Sequence, residues 1–292
     1  MPPTSESPAA RTRRPCLRTR TFKCMGTVIS LALPASPPAG GAAAGGAAAG
    51  GVEAGGHSPD VELTAAAAVV ERVFRELDHT FTLYRPTSEA SAIARGELSL
   101  LNASAVMRGL FGLAHEWRLR SEGAFTPERP DGVLDLSGLV KGYAIREAGM
   151  SLLARGQPDW CLNAGGDVLV SGSPRPGTGG PWQAGIVDPS DRGLLLAGCT
   201  LGGGRRRHAA LATSGSTERG DHIWTAAGST PAFLQVSVMA GDIVTADVLA
   251  TAIFAGGVPM LDRAADGWDV DVLAVRADGQ LLATPGFRAG GG

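Results

Sequence analysis

The sequence predicts an α+β single domain with mixed sheets and packed helices, on three observations. Helix-period apolar stripes dominate its first half, short strand-like runs take over from residue 158, and one helix returns among those strands. A regular βαβ alternation is not present. With 292 residues, 44% of them apolar and 18% charged, the chain has the means to bury one large core.

The elements follow in order. Residues 1–21 are expected to be a disordered basic tail, residues 22–288 the folded domain, and residues 289–292 a short tail. Residues 22–33 (FKCMGTVISLAL) have strand composition, with β-branched residues in the middle. Residues 34–59 form a Gly/Ala-rich stretch without side chains to bury, which predicts a flexible loop inserted in the domain. Ser58-Pro59-Asp60 then opens a helix, and Ala66, Val70, Val73, Leu77 and Phe81 recur at helical spacing. A second helix fits roughly 103–122, with Val106, Leu110, Leu113 and Trp117 on one face and Gly123 beyond its end. A third fits about 138–155 and stops at Gly156. Strands are expected at Trp160–Asn163, Val168–Ser171, Gln183–Val187, Leu194–Gly198, Ala209–Thr213 and Leu234–Met239. Thr245–Ala255 returns to helix and ends at Gly256, and two last strands bracket Asp278-Gly279.

Composition narrows the function classes. A net charge of −2 supplies no global basic field, so no nucleic-acid partner is expected. Cys16, Cys24, Cys161 and Cys199 form neither a C-x-x-C pair nor a disulfide framework, which suits reduced thiols. Arg13-Arg14 and Cys16 mimic export and lipidation signals but lack the apolar run that both need. No stretch is read as approaching the roughly 20 apolar residues of a bilayer span. The expectation is a cytoplasmic protein with no membrane partner. Only two of the 26 basic residues are lysines, Lys23 and Lys141, a skew that carries no functional reading here.

Four segments could carry chemistry. Asp247 and Thr251 stand one helical turn apart, and a carboxylate beside a hydroxyl suits a hard cation such as Mg²⁺. Thr245 as N-cap would place Asp247 in the first turn, where an acid equally serves as dipole compensation. In Asp135-Leu136-Ser137-Gly138-Leu139-Val140-Lys141-Gly142-Tyr143 an apolar segment turns into a helix start, which favours anions. It matches neither a Walker A loop nor a G-x-G-x-x-G fingerprint, and a tight junction explains it as well. Asn163-Ala164-Gly165-Gly166-Asp167 lets a flat ligand approach the backbone or forms a plain hairpin turn. Residues 212–222 gather hydroxyls, Arg219 and His222, and His222 could take a proton from an attacking hydroxyl. No G-x-S-x-G elbow supports a serine hydrolase.

In combination and in this order, the segments resemble the ApbE family of FAD:protein FMN transferases. The resemblance rests on MGTVISL (25–31), LDHTFTLYRPTSEASAI (77–93), GAF (123–125), DLSGLVKGYAI (135–145) and LNAGGDVLVSG (162–172). WQAGIVDP (182–189), ATSGSTERGDHI (212–223) and VSVMAGDIVTADVLATAIFAGG (236–257) complete it. It implies Mg²⁺-dependent cleavage of FAD, transfer of FMN through a phosphoester to a threonine of an acceptor flavoprotein, and release of AMP. It further implies that Asp247, Thr251 and the Val140 carbonyl hold the metal, and that His222 and Asp247 are catalytic. Met25, Tyr84, Ala124, Phe125, Ser137 and Tyr143 would contact FAD. The chain departs from the family pattern in two places. Thr126 replaces the usual aspartate, and only residues 127–134 separate it from DLSG, where relatives carry several dozen more. His222-Ile223-Trp224-Thr225 lacks the usual Asp-Pro turn. Two alternatives therefore stand beside transfer: a Mg²⁺-dependent FAD pyrophosphatase giving FMN and AMP, and an inert flavin-binding module.

Overall fold

The structure, a computed structural model, describes residues 15–35, 58–177, 179–202, 208–215 and 232–290. Its N-terminal hairpin joins β1 (Leu17–Cys24) to β2 (Thr27–Pro34) through Met25-Gly26. One strand was expected over residues 22–33; two are found. Both turn residues have positive φ, 51° at Met25 and 70° at Gly26, as a primed two-residue hairpin requires. Methionine rarely adopts that conformation, so the residue type gave no turn signal. Leu17–Thr21, expected in the tail, belong to β1, and their arginines are engaged with the first helix. Arg20 donates to Thr64 Oγ1 at 2.9 Å, and Arg18 lies 3.6 Å from Glu62. The rest of the expected tail, residues 1–14, lies outside the described residues, as do 36–57 of the expected loop.

Helix α1 (Pro59–Phe81) starts where Ser58-Pro59 predicts, although the Ser58 side chain makes no capping bond. Its expected stripe is buried at Ala66, Val70, Leu77 and Phe81, and partly at Val73. Helix α2 (Glu89–Ala94) and a 3₁₀ turn at Leu100–Asn102 follow, both too short for periodicity to reveal. Helix α3 (Ala105–Arg120) is capped by Ser104, whose Oγ accepts from the Met107 N–H at 3.2 Å. Its buried face is Met107, Leu110, Ala114 and Trp117, one residue round from the expected stripe. Helix α4 (Ser137–Ala154) ends before Gly156 as expected.

Strands β3 (Trp160–Ala164) and β4 (Asp167–Ser171) pair across Gly165-Gly166. Next come β5 (Trp182–Val187), β6 (Leu195–Leu201), β7 (Ala210–Gly215) and β8 (Phe233–Ala240). Helix α5 (Ile243–Gly267), β9 (Val270–Arg276), β10 (Leu281–Ala283) and α6 (Pro285–Gly290) complete the order. Eight strands form one antiparallel sheet in the order β1-β2-β3-β4-β7-β8-β9-β10. Alternation sends Val236, Val238 and Ala240 of β8 to a core shared with α1, α3, α4 and α5. Met239, Val168, Val170 and Leu273 face the opposite way, under the β5–β6 ribbon and Phe287 of α6. The sheet is thus sandwiched between a helical layer and a thinner β-ribbon layer.

Two helices set up the functional end of this sandwich. In α4, Gly149 sits where a Cβ would fall 2.6 Å from the Trp160 ring, so glycine lets the helix lie close on β3. Helix α5 begins at the N-cap Asp242, whose carboxylate accepts from the Thr245 N–H at 2.9 Å. That corrects Thr245 as N-cap and moves Asp247 into the second turn, away from ordinary dipole compensation. The stop expected at Gly256 falls one residue later and is a break rather than an end: Gly257 (φ 66°, ψ −154°) interrupts the helix, and Pro259 starts its continuation to Gly267. Among the described residues α5 is one helix long and apolar enough to cross a bilayer, contrary to the expectation that none exists. It is apolar all round because it is wedged between α4, β7 and β8, and 61% of its apolar window is buried.

Candidate active site

A cleft of about 670 Å³ opens where α1, α4 and α5 meet the ends of β2 and β7. Each wall follows from a local feature of the sequence. The β1–β2 turn contributes Met25 and Gly26. A non-glycine residue with φ near 51° is strained, and such strain gathers at functional positions. The end of α1 contributes Asp78, Phe81 and then Thr82, Leu83 and Tyr84; Tyr84 is 86% exposed and stands at the rim.

Residues 126–136 close as a tight hairpin. The Arg129 N–H donates to the Val133 carbonyl at 2.9 Å, and Glu128 bridges Leu134. Asp131 pairs with Arg129 at 2.9 Å and accepts from the Val133 N–H at 3.2 Å. The short connection thereby delivers Arg129 and Asp135 to the cleft. Asp135 Oδ1 then accepts from the Ser137 N–H at 2.9 Å, which fixes the entry into α4. Ser137, Gly138, Val140 and Lys141, from the first turns of that helix, line the cleft, which places the N-terminal end of the α4 dipole beside it.

Lys141 and Asp247 bring charge to the cleft wall, and Asp167 lies next to Lys141. Asp167 is fully buried on β4 and Asp247 is 3% exposed on α5. Lys141 Nζ contacts Asp167 Oδ2 and lies 3.4 Å from Asp247 Oδ1. Each carboxylate is also clamped by backbone. Asp167 Oδ1 accepts from the Thr213 N–H at 3.1 Å, and Asp247 Oδ2 from the Gly142 N–H at 3.0 Å. A Cβ on Gly142 would lie 3.0 Å from Asp247 Oδ2, so glycine lets α4 approach α5 here without displacing that carboxylate. One turn after Asp247, Thr251 Oγ1 meets Ser214 Oγ at 3.2 Å. Removing one member of such a buried set costs about 3–5 kcal/mol, because it strands an uncompensated charge.

Of the residues expected at the site, the structure brings Met25, Tyr84, Ser137, Val140, Asp247 and Thr251 together on this cleft. Ala124, Phe125 and Tyr143 are not among its described lining residues. Phe125 is 3% exposed in the helical core, and Ala124 packs against the same core beside Gly256. Tyr143, two positions beyond Lys141, points round α4 to lie under Arg146, 4.9 Å from its ring centre. Burial, then the Glu147 carboxylate, raises the Tyr143 phenol above its ordinary value, so it stays a neutral hydroxyl. His222 lies outside the described residues.

Sequence reasoning missed Lys141, Ser214 and Arg129 as site residues, and it gave Asp167 no role beyond the turn. The signal for Lys141 was available: a chain that uses arginine almost throughout keeps a lysine here. Asp167 was hidden because a hairpin aspartate ordinarily meets solvent. Gly165 (φ 63°) and Gly166 (φ 98°) do form the plain turn, and a Cβ on Gly165 would overlap Thr27.

Comparison with known proteins agrees with this architecture. An FAD:protein FMN transferase of Rhodobacter capsulatus is 34% identical over 167 residues, covering 53% of this chain. The match spans only 30% of that relative's length. An ApbE protein from Thermotoga maritima superposes with a TM-score of 0.71 at 17% identity, covering 94% of this chain and 99% of that one. The Pseudomonas stutzeri flavinyl transferase ApbE, apo form, gives 0.69 at 17% identity over 96% and 99%. The flavin transferase ApbE from Vibrio cholerae gives 0.67 at 18% identity over 94% and 100%. At such identities these structures share the fold. The sequence pattern of the ApbE family itself matches residues 126–273, from the short hairpin to β9, taking in both buried carboxylates and Lys141. Half of the chain carries that pattern across the cleft-forming elements, and the chain belongs to the ApbE family.

Proposed function

We propose that this chain is a Mg²⁺-dependent FAD:protein FMN transferase that attaches FMN to a threonine hydroxyl of an acceptor flavoprotein and releases AMP. The observation that carries the reading is the buried Asp247 carboxylate on the wall of a cleft of dinucleotide size, held against the Lys141 ammonium, which also meets Asp167. Among the described residues no three His, Cys, Asp or Glu side chains gather. The donors at hand are hard oxygens: the Asp247 carboxylate, Thr251 Oγ1 and the Val140 carbonyl. That set fits Mg²⁺, which takes one or two carboxylates and completes its shell with water and phosphate. Those oxygens would hold the ion, which would supply charge neutralisation for the substrate diphosphate and its AMP leaving group.

The chain's own groups do the remaining work. Asp247 is fixed by Gly142 and Lys141, so its orientation is set before substrate binds. The opening turn of α4 presents amide dipoles, and Arg129 a guanidinium, to an anionic substrate. Met25 and Tyr84 offer apolar surface for a flat ring. In the transfer, the acceptor hydroxyl oxygen bonds to the FMN phosphorus as the bond to the AMP phosphate oxygen breaks. The hydroxyl proton passes to a base, for which His222 is proposed. The four cysteines are free thiols, which fits the proposed cytoplasmic location.

Incubation with FAD, Mg²⁺ and a threonine-bearing acceptor tests the reading. AMP and covalent flavin should appear together. AMP without acceptor would make the chain a pyrophosphatase, and flavin binding without AMP an inert module.

A further inference from the structure

We propose that Lys141 is a tethered placeholder for the dication, holding the Asp167 and Asp247 carboxylates in position before the metal binds and limiting how tightly it is then held. The inference rests on the metal site proposed above and assigns that site a charge balance.

The geometry is specific. Both carboxylates spend one oxygen on a rigid backbone N–H, Thr213 for Asp167 and Gly142 for Asp247. Both turn the other oxygen to the same ammonium. The Lys141 side chain is only 12% exposed, and those of Asp167 and Asp247 are 0% and 4% exposed. Two like charges brought this close from separate elements, β4 and α5, would repel strongly in a medium that screens poorly. An ammonium between them removes that repulsion with no metal present.

Its chemistry explains why lysine stands here in a chain that has only one other. A guanidinium would grip both carboxylates through a planar fork. An ammonium is a compact charge on a flexible stem, able to withdraw from Asp247 when a stronger cation arrives while keeping Asp167. Among these three side chains two negative charges face one positive, so removing Lys141 makes the trio one unit more negative and neutralising Asp167 makes it one unit less so. Lys141 is on this account a positioning residue for Asp247.

The test is a charge ladder read by Mn²⁺ titration and thermal melting of the metal-free full-length chain. Lys141→Met removes the ammonium that both carboxylates meet, so its Mn²⁺ dissociation constant should fall at least about tenfold while its metal-free melting temperature drops. Asp167→Asn removes one negative charge and should weaken Mn²⁺ binding by about tenfold. The double variant restores the wild-type charge and should bind within about threefold of the wild type. If Lys141→Met fails to fold, the double variant binding more tightly than Asp167→Asn alone carries the same inference. A purely structural lysine would lower stability without reordering these affinities, and that result overturns the inference while the metal site stands. No Mn²⁺ binding by the wild type overturns the metal site and the inference with it.

Discussion

Replacing Gly142 with alanine should separate site geometry from helix stability. Its φ is helical, so alanine gains about 1 kcal/mol of helix propensity. Against this, the new Cβ would lie 3.0 Å from Asp247 Oδ2, 3.1 Å from the Asp247 Cβ and 3.4 Å from the Ile243 carbonyl. Those contacts are too close by a few tenths of an ångström, and both α4 and α5 are packed into the core. Such overpacking costs about 1–3 kcal/mol. The two terms nearly offset, so the melting temperature should move by less than about 8 °C. The Asp247 carboxylate must however give way by a few tenths of an ångström, and displacing this proposed metal ligand should cost about tenfold or more in rate. Cation-dependent AMP release, with Mn²⁺ affinity measured in parallel, checks this. Gly112→Ala in α3 is the control, because nothing lies within 4 Å of its Cβ. It should stabilise by about 0.5–1 kcal/mol and leave activity unchanged. Wild-type affinity and rate in Gly142→Ala would refute the idea that this glycine exists for Asp247.

Three further outcomes follow from the same structure. Asp247→Ala should abolish Mg²⁺-dependent AMP release; retained activity would remove Asp247 from the metal site. Met25→Gly should relieve a left-handed residue and raise turn stability by about 1 kcal/mol, yet weaken FAD binding in a flavin-fluorescence titration. Unchanged affinity would leave Met25 a turn residue alone. Burial pushes the Cys161 thiol up to about 12 and that of Cys199 up to about 11, from 9.0. A raised acid favours the folded state while it stays protonated. This stability is therefore complete below about pH 9 and lost as pH rises through 11 to 12. Iodoacetamide at pH 8 should accordingly label exposed Cys16 and spare Cys161 and Cys199, as peptide mass spectrometry would show.

The long periodic elements were legible in the sequence because their apolar faces meet one continuous core. The stripe of α1, the Gly156 stop of α4 and the Gly257 break in α5 are of this kind. What escaped notice depended on tertiary partners. Leu17–Thr21 read as tail because arginines alternate along β1, and only α1 supplies the groups that hold them. Thr245 read as a cap because it follows Asp242, which actually performs that role. The site divided likewise. Asp247 and Thr251 were visible as a pair one turn apart on a single helix. Asp167 and Lys141 come from β4 and α4, and their meeting has no trace in local spacing. Phe125 was expected at the cleft, yet an aromatic next to the N-terminal end of α4 finds a better place in the core.

The central claim is that FMN passes from FAD to a protein hydroxyl at the Asp247 end of the cleft. Intact-mass analysis of a threonine-bearing acceptor, run alongside AMP quantification with FAD and Mg²⁺, tests it most directly. The account predicts covalent flavin on the acceptor in equal proportion to AMP, lost from both readouts with Asp247→Ala. AMP that accumulates equally without acceptor, with the acceptor mass unchanged, would contradict it.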